Sequence, residues 1–204
     1  MGIIERKERE KIERRQQILD AARKLFLEQG FEKTSIRNIA DAIEYSPATI
    51  YLYYKDKNEL LFALHSEAFE KMMFELQAIV QVADPLERII DMGRHYLKFA
   101  FENPELYDLM FIMEAPMETL ACAEDVWEDS RQSFGLLKIL VVQSLEVGYF
   151  KGHNVEDLSL MIWSFVHGLA TIHNKKRMSI FPEAEHEARM GNAFKVFAEM
   201  IKKI

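Results

Sequence analysis

An all-α fold is predicted by three observations. Apolar residues recur at helical spacings of three and four along almost the whole chain. No stretch shows the period-two alternation between paired turn signals that marks a hairpin. Glycine is scarce (8 of 204 residues), and Pro47, Pro85 and Pro104 stand where helices are expected to start.

Taken in order, the first helix is expected over about 9–29, with an apolar stripe of Ile18, Ala21, Ala22, Leu25 and Phe26. Gly30 ends it as a left-handed cap. Thr34 or Ser35 caps a short second helix, 36–43, that packs through Ile36, Ile39 and Ala40. Ser46 caps a third, 47–54, with Pro47 at its first position, where a missing N–H does no harm. Asp56 caps a fourth, about 57–80, whose inner face is Leu60, Leu61, Leu64, Ala68 and Met72. Further helices are expected over 85–102, from Pro104 to about residue 113, and over 124–147. A connector follows at 148–154. Helix 155–175 is apolar almost all round and is expected to be buried on two sides. After the break at Phe181-Pro182, the last helix carries Met190, Phe194, Phe197, Ile201 and Ile204 on one stripe. There is no internal repeat, low-complexity tract or flexible linker.

Composition narrows the function. Apolar residues make up 49% and charged residues 29%, so a core and a polar surface coexist. The longest apolar runs are too short to cross a bilayer, and the start shows no charged region followed by a hydrophobic stretch, so no membrane or secretory role is expected. The single cysteine, Cys122, excludes an internal disulfide and a cysteine zinc site. It is read as an inert packed thiol in a cytoplasmic protein. The net charge is −7 but is unevenly spread. Residues 1–60 hold 12 Lys+Arg and 11 Asp+Glu, a net of +1, and the remaining 144 hold 14 and 22, a net of −8. A near-neutral head on an acidic body suits local phosphate contacts and excludes a strong non-specific polyelectrolyte binder.

Three helices in the first 54 residues, the last two short and joined by a tight turn, have helix-turn-helix spacing. The second short helix must enter a major groove about 12 Å wide, so its outer face must be small or flat. Ile50 and Tyr54 are one helical repeat apart and are expected to lock onto Leu25, Phe26 and Ile39. Pro47, Ala48, Thr49, Tyr51 and Tyr53 then face outward, where hydroxyls can reach phosphate and small residues admit base edges. The arm Arg6, Lys7, Arg9, Lys11, Arg14 and Arg15 is interleaved with glutamates. It reads equally as a solvated helix extension and as a phosphate contact.

The stretch 18–30, then Thr34, Ile39-Ala40, Ser46, residues 49–57 and Leu60-Leu61, resembles the DNA-binding head of TetR-family (tetracycline-repressor-like) regulators over about 16–62. That resemblance implies that Ser35 and Arg37 touch phosphate or groove edge. It implies that Tyr45, Ser46, Pro47, Ala48 and Thr49 face the groove, and that Tyr51, Tyr53 and Lys57 clamp the backbone. It divides the chain into a helix-turn-helix domain at 1–57 and a ligand-binding and dimerisation domain at 58–204. The family usually has Gly in the turn between helices two and three. Glu44 stands there, at a position expected to need positive φ, and places a negative charge near DNA.

The body is expected to pair with a second copy through its last two helices, which carry more apolar surface than a monomer of this size covers. Met92, Tyr96, Phe99, Met110, Met113, Trp127, Phe134, Met161, Trp163 and His167 are the candidate pocket residues. They suit an apolar or aromatic effector, though each alone also reads as core. Trp163 with His167-Gly168 resembles a Trp/His/Gly signature of one TetR subgroup. Catalysis has no positive support. One Glu-x-x-His, at 183–186, is not the two that a di-iron bundle needs, and Asp91 and His95 lack a companion nucleophile. No cofactor or metal is expected. The leading reading is an effector-released repressor that binds pseudo-palindromic operator DNA as a homodimer. The alternatives are a ligand-independent activator or architectural DNA binder, and a helical metal-bundle enzyme.

Overall fold

The computed structural model describes residues 2–113 and 126–204. Among these residues there are nine α-helices and no strand. They are α1 (Ile3–Gln29), α2 (Ile36–Ala42), α3 (Pro47–Tyr51), α4 (Lys57–Leu76), α5 (Pro85–Glu102), α6 (Pro104–Phe111), α7 (Val126–Glu146), α8 (Val155–Asn174) and α9 (His186–Ile201). Short 3₁₀ turns follow α4 and precede α9.

Several expectations at element ends are corrected: α3 stops at Tyr51 rather than residue 54, and α4 stops at Leu76, where a 3₁₀ turn over Gln77–Gln81 takes over. The first helix begins six residues earlier than expected, because Arg6–Glu10 and Arg9–Glu13 pairs stabilise an exposed extension that has no apolar stripe. Gly30 does have positive φ, but with ψ 158° it lies in the extended mirror region and not the left-handed helical one. The expectations for Cys122 and for the first two residues of helix 124–147 lie outside the described residues.

The chain divides into two compact units, Met1–Ala68 with Tyr107–Glu128, and Phe69–Leu106 with Asp129–Ile204. The first crossing falls within α4, so the first unit extends past residue 57. Its core joins Ile18, Ala22 and Phe26 of α1 to Ile39, Ile50, Tyr54, Leu60, Leu61 and Leu64, and it also takes in Leu109 from α6. Leu25 and Met113 pack against it partly buried.

In the second unit, α5 lies along α8. Gly93 is the point of closest approach: a Cβ there would stand 3.0 Å from Phe194 Cε2 of α9 and 3.3 Å from Val166 Cγ1 of α8. Asp84 caps α5 by accepting from the Glu87 N–H at 2.9 Å, and Pro85 occupies the first turn. The Glu87 N–H holds the Asp84 carboxyl below its ordinary range. The α7–α8 connector is anchored to the start of α5 and to the last residue of the chain. The Phe150 N–H donates to the Ile204 carbonyl at 3.2 Å, and the Tyr149 hydroxyl donates to Asp84 Oδ2 at 3.1 Å.

Helix α8 is buried on one side within this chain, not two. Ile162, Val166, Leu169 and Ala170 are covered, whereas Leu160, Met161 and Ile172 stand 52%, 43% and 40% exposed. Its all-round apolar composition therefore leaves one face without cover in the single chain.

Candidate nucleic-acid interface

The head positions its outer residues through one reciprocal cap, one side-chain cap and one tight turn. At the start of α2, Ser35 Oγ accepts from the Asn38 N–H at 3.1 Å, while Asn38 Oδ1 accepts from the Ser35 N–H at 2.9 Å. Thr34, the other candidate cap, is buried instead. Its hydroxyl bonds the carbonyl of Gly30 at 2.9 Å and ties the end of α1 to the start of α2. At the start of α3, Ser46 Oγ accepts from the Thr49 N–H and shares a 2.9 Å hydrogen bond with the Thr49 hydroxyl.

The turn between α2 and α3 is a Schellman motif. The Tyr45 N–H reaches back to the Ala40 carbonyl at 2.9 Å and the Glu44 N–H to the Asp41 carbonyl at 3.3 Å. That geometry puts Glu44 at φ 58°, the left-handed position where glycine is usual. The strain foreseen for this residue is present, and the turn keeps both of its hydrogen bonds despite it.

These constraints leave a defined outer surface. Ile50 and Tyr54 are fully buried, with the Tyr54 hydroxyl over the Arg15 carbonyl and the Arg15 guanidinium 4.8 Å from the Tyr54 ring centre. Ser35, Arg37, Ser46, Ala48 and Tyr51 are exposed; Pro47, Thr49 and Tyr53 are half-buried. Arg37 takes no ion-pair partner among the described residues. Tyr45 is half-buried, its hydroxyl donating to Gln17 Oε1 at 3.2 Å, so it lies along α1.

Lys57 is placed differently from its expected role. Its ammonium donates to the Phe31 carbonyl at 2.7 Å and sits 4.1 Å above the Phe31 ring. A cation held that way bolts the start of α4 to the corner between α1 and α2. Two residues between α3 and α4 that were not among the expected contacts are exposed, Leu52 (80% exposed) and Lys55. Leu52 carries a detectable signal: it falls off the Ile50–Tyr54 repeat.

The candidate effector residues do not form a single group. Tyr96, Phe134, Trp163 and His167 come together in the second unit. The Tyr96 hydroxyl and His167 Nδ1 share a 3.0 Å hydrogen bond, and the Trp163 ring lies 5.3 Å from His167 and 5.9 Å from Phe134. Burial holds the His167 imidazole below its ordinary pKa, which favours the neutral form. Met92 and Phe99 are buried on α5 in the same unit. Met161 departs from this set by facing outward, and Met110 and Met113 belong to the first unit, where Met113 packs on the head core. The Trp127 side chain lies outside the described residues. Among the described residues no three His, Cys, Asp or Glu side chains are arranged to hold a metal, and no helix is long and apolar enough to cross a membrane. His186, in the Glu-x-x-His stretch, has Nε2 2.9 Å from the Phe181 carbonyl.

Comparison with known proteins places this geometry in a class. Residues 18–64 match the family described as bacterial regulatory proteins, tetR family, and residues 89–191, just over half of the chain, match the tetracyclin repressor-like C-terminal domain. The chain belongs to the TetR family of helix-turn-helix regulatory proteins. Over 59 residues it is 44% identical to the HTH-type transcriptional repressor Rv1474c of Mycobacterium tuberculosis, covering 29% of this chain and 32% of that protein. Over 78 residues it is 37% identical to the HTH-type transcriptional regulator HbdR of Aromatoleum sp., covering 38% and 34%. The matched stretches thus span about a third of these two relatives. The fold extends further: the fatty acid degradation regulator FadR of Bacillus halodurans superposes with a TM-score of 0.71 over 92% of this chain and 94% of that one, at 18% identity.

Proposed function

We propose that this protein is a transcriptional repressor that binds pseudo-palindromic operator DNA as a homodimer and is released by a small apolar or aromatic effector. The observation that carries the reading is the α2–α3 unit. Its inner face is fully buried, its capped outer face presents Ser35, Arg37, Ala48 and Tyr51, and both short helices are fixed by hydrogen bonds at their starts. In this reading Arg37, Tyr51, Tyr53 and Lys55 meet phosphate, while Ala48 and Thr49 approach base edges, with Ser46 and Pro47 shaping the helix that carries them. Lys57 supports the head from behind. The effector lies against Trp163, Phe134 and the neutral His167–Tyr96 pair, and it acts by its differential affinity for the released form. The protein works in the cytoplasm and performs no catalysis.

Selection from randomised duplex DNA at near-physiological salt tests the reading. An enriched pseudo-palindrome, lost in Tyr51→Ala/Arg37→Ala, is expected. A chain that enriches nothing, even after unfolding, stripping of bound small molecules and refolding, is not a specific DNA binder.

A further inference from the structure

The arm that opens α1 sorts its charges by side. Arg6 pairs with Glu10 at 2.9 Å and Arg9 with Glu13 at 3.7 Å. Lys7, Lys11 and Arg14 are exposed and take no ion-pair partner among the described residues. At about 100° of turn per residue these three project within about 60° of one another, on the line that Ile18 continues into the head core. The four paired residues project from another side of the helix, centred about 120° away. The fastening of α3 gives the direction in which the free cations face. Tyr45, just before α3, bonds Gln17 of α1, and Tyr54, just after it, lies against the Arg15 guanidinium. Gln17 and Arg15 project about 160° apart, and Lys7, Lys11 and Arg14 fall between them. Helix α3 therefore lies on the same side of α1 as the free cations. Ala48 of α3 and Leu52 at its end are exposed and project opposite the buried Ile50, so they face away from α1. A duplex engaged by α3 is thus on the cationic side of α1. Lys7 is eight residues before Arg15, about 12 Å along the helix, so the stripe runs on past α3.

We propose that the arm of α1 is a second DNA contact, in which Lys7, Lys11 and Arg14 bind phosphates of the duplex flanking the groove that α3 enters. The spacing of the three cations is unfavourable without an anion beside them. Lys7 and Lys11 are four residues apart and Lys11 and Arg14 three apart, and like charges at those spacings destabilise a free helix. A row of phosphates turns that repulsion into attraction. The stripe is about 10 Å long at 1.5 Å per residue, and the phosphates of one strand follow each other every 3.4 Å or so along the duplex axis, so each cation has its own phosphate within reach. Glu10 and Glu13, held by Arg6 and Arg9, are turned from the stripe, which keeps their carboxylates off the DNA. A contact of this kind reads no bases, so it lengthens the footprint without lengthening the consensus. The inference rests on the operator binding of the proposed function and adds a contact outside α2 and α3.

The test uses the full chain and the duplex that selection enriches, flanked on each side by about one helical turn of arbitrary sequence. Lys7→Gln/Lys11→Gln/Arg14→Gln is expected to weaken binding at least about tenfold at near-physiological salt and to lower the slope of log affinity against log salt by about two to three. Its selected consensus matches that of the parent chain. Arg6→Gln/Arg9→Gln, which removes nearly as much charge from the other side of the arm, leaves the slope within about half a unit of the parent's. Lys7→Arg/Lys11→Arg keeps the charge and the slope. Circular dichroism checks the arm, and if the triple variant loses helix content the single Lys11→Gln change, expected to lower the slope by about one, decides. An affinity loss with an unchanged slope makes the arm a support of the head and overturns the phosphate contact. A triple variant that matches the parent in both overturns it too, and in either case operator binding through α2 and α3 stands. A parent chain that binds no duplex overturns the arm contact and the operator binding together.

Discussion

At the scale of single residues, two side chains in the head do something other than their position in the motif suggests. Lys57 spends its charge on Phe31, through one hydrogen bond and the ring face. Lys57→Ala is therefore expected to destabilise the chain by about 1 kcal/mol. It should weaken DNA binding with little change in salt dependence. Lys55→Ala should leave stability alone and lower the slope of log affinity against log salt by about one. Anisotropy titrations across a salt series, with thermal melts of the same variants, separate the two. A slope change in Lys57→Ala without loss of stability would return that lysine to the phosphate. Glu44 holds a left-handed backbone that glycine takes without strain. Glu44→Gly should stabilise the chain by about 0.5–1 kcal/mol in urea unfolding and should tighten DNA binding by removing a charge. A less stable variant would mean that the Glu44 side chain makes a contact worth more than the strain.

At the scale of elements, helix ends and helix faces have separate causes. The starts of α2, α3 and α5 are set by Ser35, Ser46 and Asp84, each accepting a backbone N–H three residues on. Faces are set by what lies opposite. Gly93 on α5 is such a case, because Phe194 and Val166 already fill the space a methyl would take. Gly93→Ala gains helix propensity of about 1 kcal/mol, but overpacking costs about 1–3 kcal/mol. The net expected outcome is a loss of about 1 kcal/mol in urea unfolding. A gain in stability would show that the Phe194 ring swings aside freely. The all-round apolar α8 follows the same logic on one side: its inner face is explained by α5, while Leu160, Met161 and Ile172 on its outer face stay exposed in the single chain.

At the scale of the whole molecule, His167 links stability to pH. Its pKa is lowered from 6.5 in the folded state by burial, so the unfolded chain binds the proton more readily. Stability is therefore full above about pH 6.5 and falls as the pH drops from there toward the lower folded-state pKa. His167→Gln should flatten that part of the profile in thermal melts between pH 7.5 and 5.5. An unchanged slope would place the acid sensitivity elsewhere. The uneven charge belongs to the same scale: a near-neutral head leaves DNA affinity to a few placed contacts, while the acidic body discourages non-specific adsorption.

Much of this protein was legible before any coordinates. The order of the helices, the caps at Ser46 and Asp56, the helix start at Pro85, the buried Ile50–Tyr54 pair and the strained Glu44 all follow from short-range rules: periodicity, side-chain hydrogen bonds to nearby N–H groups, and the steric cost of positive φ. The outward face of α3 follows too, since burying one side of a short helix fixes the other. What tertiary structure alone decided involves partners distant in sequence. Lys57 and Phe31 are 26 positions apart, Tyr96 and His167 are 71 apart, and Phe150 meets the last residue, Ile204. No local pattern encodes such pairings. The same limit explains why the candidate pocket residues, chosen for their chemistry, sorted among the described residues into an aromatic group around Tyr96 and His167, the buried Met92 and Phe99 of α5, an outward Met161 and two methionines of the other unit. An apolar side chain is needed equally by a core, a pocket and an interface, and only its neighbours in space distinguish them.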